Sequence, residues 1–284
     1  MSEPTRFPLR GATVAITGGA HGIGLATARA FIDAGSFVCI GDIDEKAAKE
    51  AALSLGPNGY SFHLDVTDRA SFTQFIDRVE EQVGAVDVLV NNAGIMPTGR
   101  FLDESDETAD SAHAVNVRGP TLGMKIVLPR MLERRRGHVV NIASMAGKVA
   151  VPYLATYCAT KHAVAGLTAS VLPELEDTGV SVSSVLPWIV DTRLSANVPV
   201  DELQPQTPED VAAIVVENCD TRHLEVTVPR YFRLFVQAYN LIPKRMLPAV
   251  SKLLNAARLV DPEVREKRQE YEESCAQHAS STNN

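Results

Sequence analysis

Tyr157 and Lys161 stand four residues apart in Tyr157-Cys158-Ala159-Thr160-Lys161, and Ser144 lies thirteen residues upstream. On a helix, that spacing puts a phenol and an ammonium on one face. A phenol with its reference pKa of about 10 exchanges protons poorly near neutrality. An ammonium beside it favours the phenolate and draws that value toward the working range. A serine hydroxyl nearby can hold a carbonyl or alcohol oxygen by hydrogen bonding. Together the three groups make a proton-transfer site for carbonyl and alcohol chemistry. A tyrosine packed beside a solvated lysine has the same spacing, so the pair gains its meaning from the rest of the chain.

Such a site needs a hydride donor or acceptor, and the N-terminal third offers a place to bind one. Residues 13–17 form a short β-branched run that reads as a buried strand. They feed Gly18-Gly19-Ala20-His21-Gly22-Ile23-Gly24 and then a helical pattern over 25–34. Strand, glycine turn and helix start form a phosphate cradle: glycine allows close backbone approach, and the helix end presents free N–H groups to a pyrophosphate. The spacing is G-x-x-x-G-x-G, through Gly18, Gly22 and Gly24, rather than the commoner G-x-G-x-x-G. A second strand, 37–41, ends at Asp42, about twenty residues beyond the glycines, where a carboxylate can accept from ribose hydroxyls and repel a 2′-phosphate. That placement predicts NAD(H) over NADP(H); the competing reading of Asp42 is an acidic helix cap before Asp44 and Glu45.

Further strands are expected over 60–64, 86–90, 137–142, 180–186 and 223–228, separated by helical patterns such as 71–83. The alternation implies an α/β fold: a doubly wound, Rossmann-type parallel sheet with helices on both faces. Ligands sit at the carboxyl ends of the strands in such sheets. Asp65-Val66 ends the third strand and could meet an adenine edge or signal a helix start. Asn91-Asn92-Ala93-Gly94 ends the fourth, where small residues let a cofactor lie against the backbone.

Thr17-Gly18-x-x-x-Gly22-Ile23-Gly24, Asn91-Asn92-Ala93-Gly94, Asn116, Ser144 and Tyr157-x-x-x-Lys161 together resemble the short-chain dehydrogenase/reductase family, over about residues 10–228. The resemblance implies that Tyr157 is general acid in carbonyl reduction and general base in alcohol oxidation. It implies that Lys161 lowers the tyrosine pKa and holds the nicotinamide ribose, and that Ser144 orients the substrate oxygen. Asn116 would support a water-linked proton path to Lys161. Pro187 and Thr192 match the family's loop beside the nicotinamide, whereas Trp188 replaces its usual glycine. Trp188 would either bring a large apolar face near the reacting carbon or turn outward into a lid or a neighbouring subunit. Met145 and Tyr153 join Trp188 as candidate substrate contacts. Met96, Val149, Val151 and Leu154 also flank the motifs and favour a bulky, apolar substrate: a steroid, retinoid or lipid-derived alcohol. A reductase of small or quinone-like carbonyls and a non-catalytic nucleotide sensor are the alternatives. The family further suggests a homodimer or homotetramer.

Composition narrows the remaining options. The 284 residues suit one catalytic domain, 1–228, with an extension, 229–284. A net charge of −8 argues against a nucleic-acid binder. The four cysteines show neither a disulfide framework nor metal-ligand spacing, so reduced thiols, a cytoplasmic location and no metal site are expected. No secretory signal is expected in the opening residues. Arg130, Arg134, Arg135 and Arg136 suggest either an anion site or the exposed cationic end of a helix. His138 and His162 are expected to be structural, and Cys158 packed. The extension departs from the bulk charge: from 229 to 260 it holds six Lys/Arg and no acid. An apolar helix is expected over 231–242, a helical stripe through Met246, Val250, Leu253, Leu254 and Ala257, a charged helix after Asp261, and a disordered end at 280–284. This segment could pack on its own core or another subunit, cap an apolar pocket, or touch an anionic membrane surface peripherally.

Overall fold

The computed structural model describes residues 8–195 and 205–243, together with Met246, Leu259, Asp261, Glu263, Val264, Glu266, Arg268 and Tyr271. The stripe expected through Val250, Leu253, Leu254 and Ala257, and the polar end at 280–284, lie outside the described residues. Among those described, seven strands form one parallel sheet: β1 Thr13–Thr17, β2 Phe37–Asp42, β3 Gly59–His63, β4 Val88–Asn91, β5 Gly137–Ile142, β6 Val180–Pro187 and β7 Glu225–Val228. Their order is β3-β2-β1-β4-β5-β6-β7, so the winding reverses between β1 and β4. That switch point opens a crevice at the carboxyl ends of the two strands.

The helices are α1 Gly22–Asp33, α2 Glu45–Ser54, α3 Arg69–Gln82, α4 Asp106–His113, α5 Gly119–Glu133, α6 Ala155–Val171, α7 Pro208–Thr221 and α8 Phe232–Leu241. The period-2 alternation of side chains sorts the strands onto two cores. Val14, Ile16, Val38, Ile40, Val88 and Val90 face one, with Ala28 and Phe31 of α1 and Val211 and Val215 of α7. Ala15, Cys39, Leu89 and Val139 face the other, with Phe72, Phe75 and Val79 of α3 and Val127 and Met131 of α5. Local chemistry sets the helix boundaries. Asp44 caps α2 by accepting from the Ala47 N–H, Asp68 caps α3, and Thr207 forms a reciprocal capping box with Asp210 at α7.

The expected elements are present, with shifted edges that have local causes. β7 begins at Glu225 rather than at 223, because α7 ends in a left-handed Arg222 and the His223 N–H donates to Asn218 Oδ1 at 3.1 Å. The arginines before β5 are neither an anion site nor a merely exposed helix end. Arg130 pairs with Asp77 and Glu80 of α3, both at 2.6 Å. Arg134 and Arg136 pair with Asp87 at 3.6 and 2.9 Å, and Arg135 donates to the Asp177 carbonyl. His138 lies within β5 with no exposed surface, its ring nitrogens 2.6 Å from Ser181 Oγ and 3.0 Å from Ser183 Oγ on β6.

Burial pushes the His138 pKa down to about 3, with the charge of Arg222 adding to the effect. A folded-state pKa below the unfolded value means that the unfolded chain binds the extra proton, so this group removes stability as pH falls below about 6.5 toward 3. The thermal midpoint of the protein should therefore drop as pH is lowered from neutrality to about 4. His138→Gln, which keeps polar atoms for the two serines but takes no proton, should lose part of that pH slope. Calorimetry across the pH series checks it, and identical slopes for the two proteins would refute the assignment.

Candidate active site

The glycine turn between β1 and α1 is built by contacts that leave no room for side chains. Gly18 has φ of +62°, and a Cβ on it would lie 2.8 Å from Ala93 Cα. A Cβ on Gly24 would lie 2.3 Å from the Gly18 carbonyl oxygen. Asn92 fastens the turn to the end of β4: its Nδ2 donates to the carbonyls of Thr17 and Gly18 at 3.0 and 2.8 Å. The Thr17 hydroxyl accepts the N–H groups of Asn92 and Ala93, both at 3.0 Å. His21 sits at the start of α1, exposed, and caps it with no side-chain hydrogen bond. The first N–H groups of α1, at Gly22, Ile23 and Gly24, thus face the crevice as donors for an anion. Thr192 stands opposite, its Cγ2 3.2 Å from where a Gly22 Cβ would be.

Asp42 ends β2, half-buried beside this turn. Its carboxylate accepts the Ala20 and Asp44 N–H groups, each at 3.1 Å, which fixes its position. The cap of α2 is Asp44, so the cap reading of Asp42 is set aside. At the end of β3, Asp65 Oδ1 accepts both the N–H and the hydroxyl of Thr67, at 2.8 and 2.7 Å, and Val66 packs against Gly119. These donors, the close backbone approach and the fixed carboxylate fit a dinucleotide, with Pro187 at the carboxyl end of β6 and Thr192 beyond it.

Ser144, Tyr157 and Lys161 meet at the carboxyl end of β5. Ser144 starts a tight turn, Met145–Gly147, with its hydroxyl accepting the Ala146 N–H at 3.1 Å. That turn lies against α6 so closely that a Cβ on Gly147 would be 2.6 Å from the Lys161 carbonyl oxygen. Tyr157 and Lys161 project from α6 toward it. Lys161 Nζ is 5.6 Å from the Tyr157 ring centre and donates to the Ile142 carbonyl at 2.9 Å. Both residues are buried. Burial pushes the Tyr157 phenol up to about 12, and the hydrogen bond from Ser144 opposes that shift. Burial also pulls Lys161 down to about 8. Desolvation is therefore the largest influence on the phenol, whereas the simple sequence expectation was a downward pull from the ammonium.

Asn116 lies in a π-helical turn, Ala114–Arg118, between α4 and α5. Such wide turns free backbone groups and recur at functional sites. Its Oδ1 accepts the Ile95 N–H at 2.9 Å, and its Nδ2 donates to the Ile95 carbonyl and to Thr160 Oγ1 at 2.8 and 3.1 Å. Both amide hydrogens are engaged, so the side chain positions the loop after β4. Gly94 lies between: a Cβ there would be 3.2 Å from Asn116 Oδ1 and 3.6 Å from Lys161 Nζ.

The apolar residues expected around the site divide into two groups. Met96, Val151, Tyr153 and Leu154 cluster with Tyr157, Ala146, Cys158, Leu194 and Leu259. Met145 belongs elsewhere: it is only 1% exposed and packs with Val164, Leu186 and Phe232. Trp188 stacks on Phe232 at 5.2 Å and meets the edge of Phe235 at 6.5 Å. It is the seam that joins α8 to the catalytic body. Its departure from the family's glycine therefore accompanies the extension. Cys158 is buried with its thiol pKa raised, and His162 bonds the Cys158 carbonyl at 2.8 Å, both structural as expected. Leu194, Leu259, Arg268 and Tyr271 were not anticipated. The first follows the loop of Thr192, and the others approach from over a hundred residues away, which no local pattern signals.

Among the described residues no cluster of side chains could hold a metal ion, and no helix is long and apolar enough to cross a membrane. Residues 12–203 match the short chain dehydrogenase family model. The chain is 33% identical to 17-beta-hydroxysteroid dehydrogenase 13 of Rattus norvegicus, over 88% of this chain and 85% of that protein. It is 37% identical to the 2,5-dichloro-2,5-cyclohexadiene-1,4-diol dehydrogenase LinX of Sphingobium indicum, over 71% of this chain and 82% of that one. The crystal structure of a short chain dehydrogenase/reductase from Burkholderia phymatum in complex with NAD superposes with a TM-score of 0.74 and 27% identity, covering 81% of this chain and 93% of that one. The motifs, the winding of the sheet and these likenesses agree, and the chain belongs to the short-chain dehydrogenase family as a nicotinamide-dependent, hydride-transferring oxidoreductase.

Proposed function

We propose that the enzyme transfers hydride between NAD(H) and a bulky, hydrophobic secondary alcohol or its ketone, with a steroid, retinoid or lipid-like skeleton. The observation that carries this reading is the position of the Tyr157 phenol. It is placed between Ser144 and Lys161 and set in an apolar cluster of Met96, Val151, Tyr153, Leu154 and Leu194. The bound nicotinamide supplies or accepts the hydride. This chain's residues do the rest: Ser144 holds the substrate oxygen, Tyr157 takes the alcohol proton in oxidation or returns it in reduction, and Lys161 stabilises the phenolate. The steroid-named relative supports an apolar substrate. The relative acting on a chlorinated cyclohexadiene diol favours, as the second reading, a smaller cyclic or quinone-like substrate. The exposed face of α8, with Tyr231, Leu234 and Leu241 beside Arg233, supports a contact of the extension with an anionic membrane surface or another subunit of a homo-oligomer.

NAD dependence rests on Asp42, whose held carboxylate would repel a 2′-phosphate. Asp42→Ala should lower the ratio of kcat/KM for NAD to that for NADP by at least about tenfold. Equal ratios in mutant and parent would remove Asp42 from cofactor choice.

Tyr157→Phe should reduce turnover of any secondary alcohol by at least about a hundredfold while leaving NADH affinity, read by fluorescence, unchanged. Near-parental turnover would refute the assignment of the proton carrier.

The buried ammonium of Lys161 also has a stability signature. Burial holds its pKa in the folded protein at about 8, below the ordinary value of 10.5. The unfolded chain therefore binds the extra proton between these values, and stability is gained as pH rises through that window. Relative to Lys161→Met, the protein should become more stable by up to about 3 kcal/mol between pH 8 and 10.5. Denaturant titration at the two ends of the window measures this, and a constant difference would contradict it.

A further inference from the structure

Leu259 is 4% exposed and belongs to the apolar cluster that surrounds Tyr157, although it is a hundred residues further along the chain. What holds this part of the extension over the site is a pair of side chains on the helical segment that follows. Arg268 and Tyr271 are three residues apart and share a helix face, and the guanidinium carbon lies 4.9 Å from the Tyr271 ring centre. Both reach Met96 in the loop after β4. The Met96 N–H donates to Tyr271 Oη at 2.8 Å, and the Met96 carbonyl accepts from Arg268 Nη2 at 3.1 Å. The other arm of the guanidinium donates to the Leu194 carbonyl at 3.2 Å, on the loop beyond β6. Arg268 is 2% exposed, and a guanidinium is buried this deeply only where hydrogen bonds repay its desolvation. The two loops so joined carry Met96 and Leu194, both members of the Tyr157 cluster.

We propose that Arg268 and Tyr271 strap the C-terminal extension across the mouth of the active site, and that Leu259, held by that strap, is a specificity-determining residue that sets the size of substrate reaching Tyr157. The proposal rests on the alcohol-dehydrogenase reading above. The arginine fork fixes the distance between the two loops, and the tyrosine hydroxyl fixes their height relative to the extension. Leu259 then shares the cluster around Tyr157 with Met96, Ala146 and Leu154.

Two experiments on the full-length protein test it. In the first, oxidation of isopropanol, cyclohexanol and oestradiol by NAD is compared in the parent, Leu259→Ala and Leu259→Trp. The ratio of kcat/KM for oestradiol to that for cyclohexanol should rise by about tenfold in Leu259→Ala and fall by about tenfold in Leu259→Trp. A uniform loss for every alcohol in both variants would overturn the size role and make Leu259 a packing residue. In the second, hydrogen–deuterium exchange is followed at the Met96 amide. Tyr271→Phe removes the hydroxyl that accepts from that amide, so its exchange should accelerate about tenfold or more, with the global thermal midpoint nearly unchanged. Arg268→Lys, which keeps the charge and loses the fork, should loosen the 94–98 segment in the same way. Unchanged exchange in both variants would overturn the strap. If the parent oxidised none of the alcohols while still binding NADH, the substrate reading would fail and the size role with it. The exchange experiment would still decide whether the strap exists.

Discussion

The hydrogen bond from Lys161 Nζ to the Ile142 carbonyl ties the chemistry to the scaffold. An ammonium placed in a protein interior is costly unless its protons find acceptors. Here the acceptor is the last residue of β5, so the bond fixes where Lys161 of α6 stands against the end of that strand. That placement puts Tyr157 beside Ser144, because Ser144 stands two residues beyond Ile142. It also seats the Gly147 turn on the α6 backbone, where no side chain would fit. The loop after β4 lies beside Lys161, and Asn116 holds that loop through Ile95. The proton-transfer site is thus a consequence of helix–sheet packing and requires no flexible loop to close before it exists.

The same logic explains which parts of the molecule could be read from the chain. Strand–helix alternation and short runs without alternation, such as 13–17 and 137–142, report a sheet covered on both faces, because burial on both sides is what selects those residues. The glycine turn, Asp42 and the Tyr157–Lys161 spacing are local, and local geometry is written in local sequence. Met145 was misleading for the opposite reason. It adjoins Ser144 in sequence, yet the tight turn there rotates its side chain into the core beneath the site. Trp188 left two orientations open, since nothing nearby in sequence announces Phe232 as its stacking partner. Leu259, Arg268 and Tyr271 were invisible as site residues, for their partners are main-chain atoms and a tyrosine far away. The arginines before β5 read as surface charge because their carboxylates lie on other elements.

Proton chemistry in the crevice depends on how dry it is. Burial alone raises Tyr157 to about 12 and lowers Lys161 to about 8. Both shifts run toward the uncharged forms, because charge is poorly solvated there. A positively charged nicotinamide ring would add attraction for the phenolate where water is scarce and screening weak.

The contacts made by Arg268 and Tyr271 fall on the main chain of Met96 and Leu194. Hydrogen bonds to peptide groups are indifferent to which side chains those positions carry. Met96 and Leu194 can therefore be exchanged for larger, smaller or polar residues while the frame around them keeps its shape. The extension separates the part of the enzyme that confers rigidity from the part that confers taste. A lineage, or an engineer, could vary the lining of this site to accept new alcohols without first having to rebuild its enclosure.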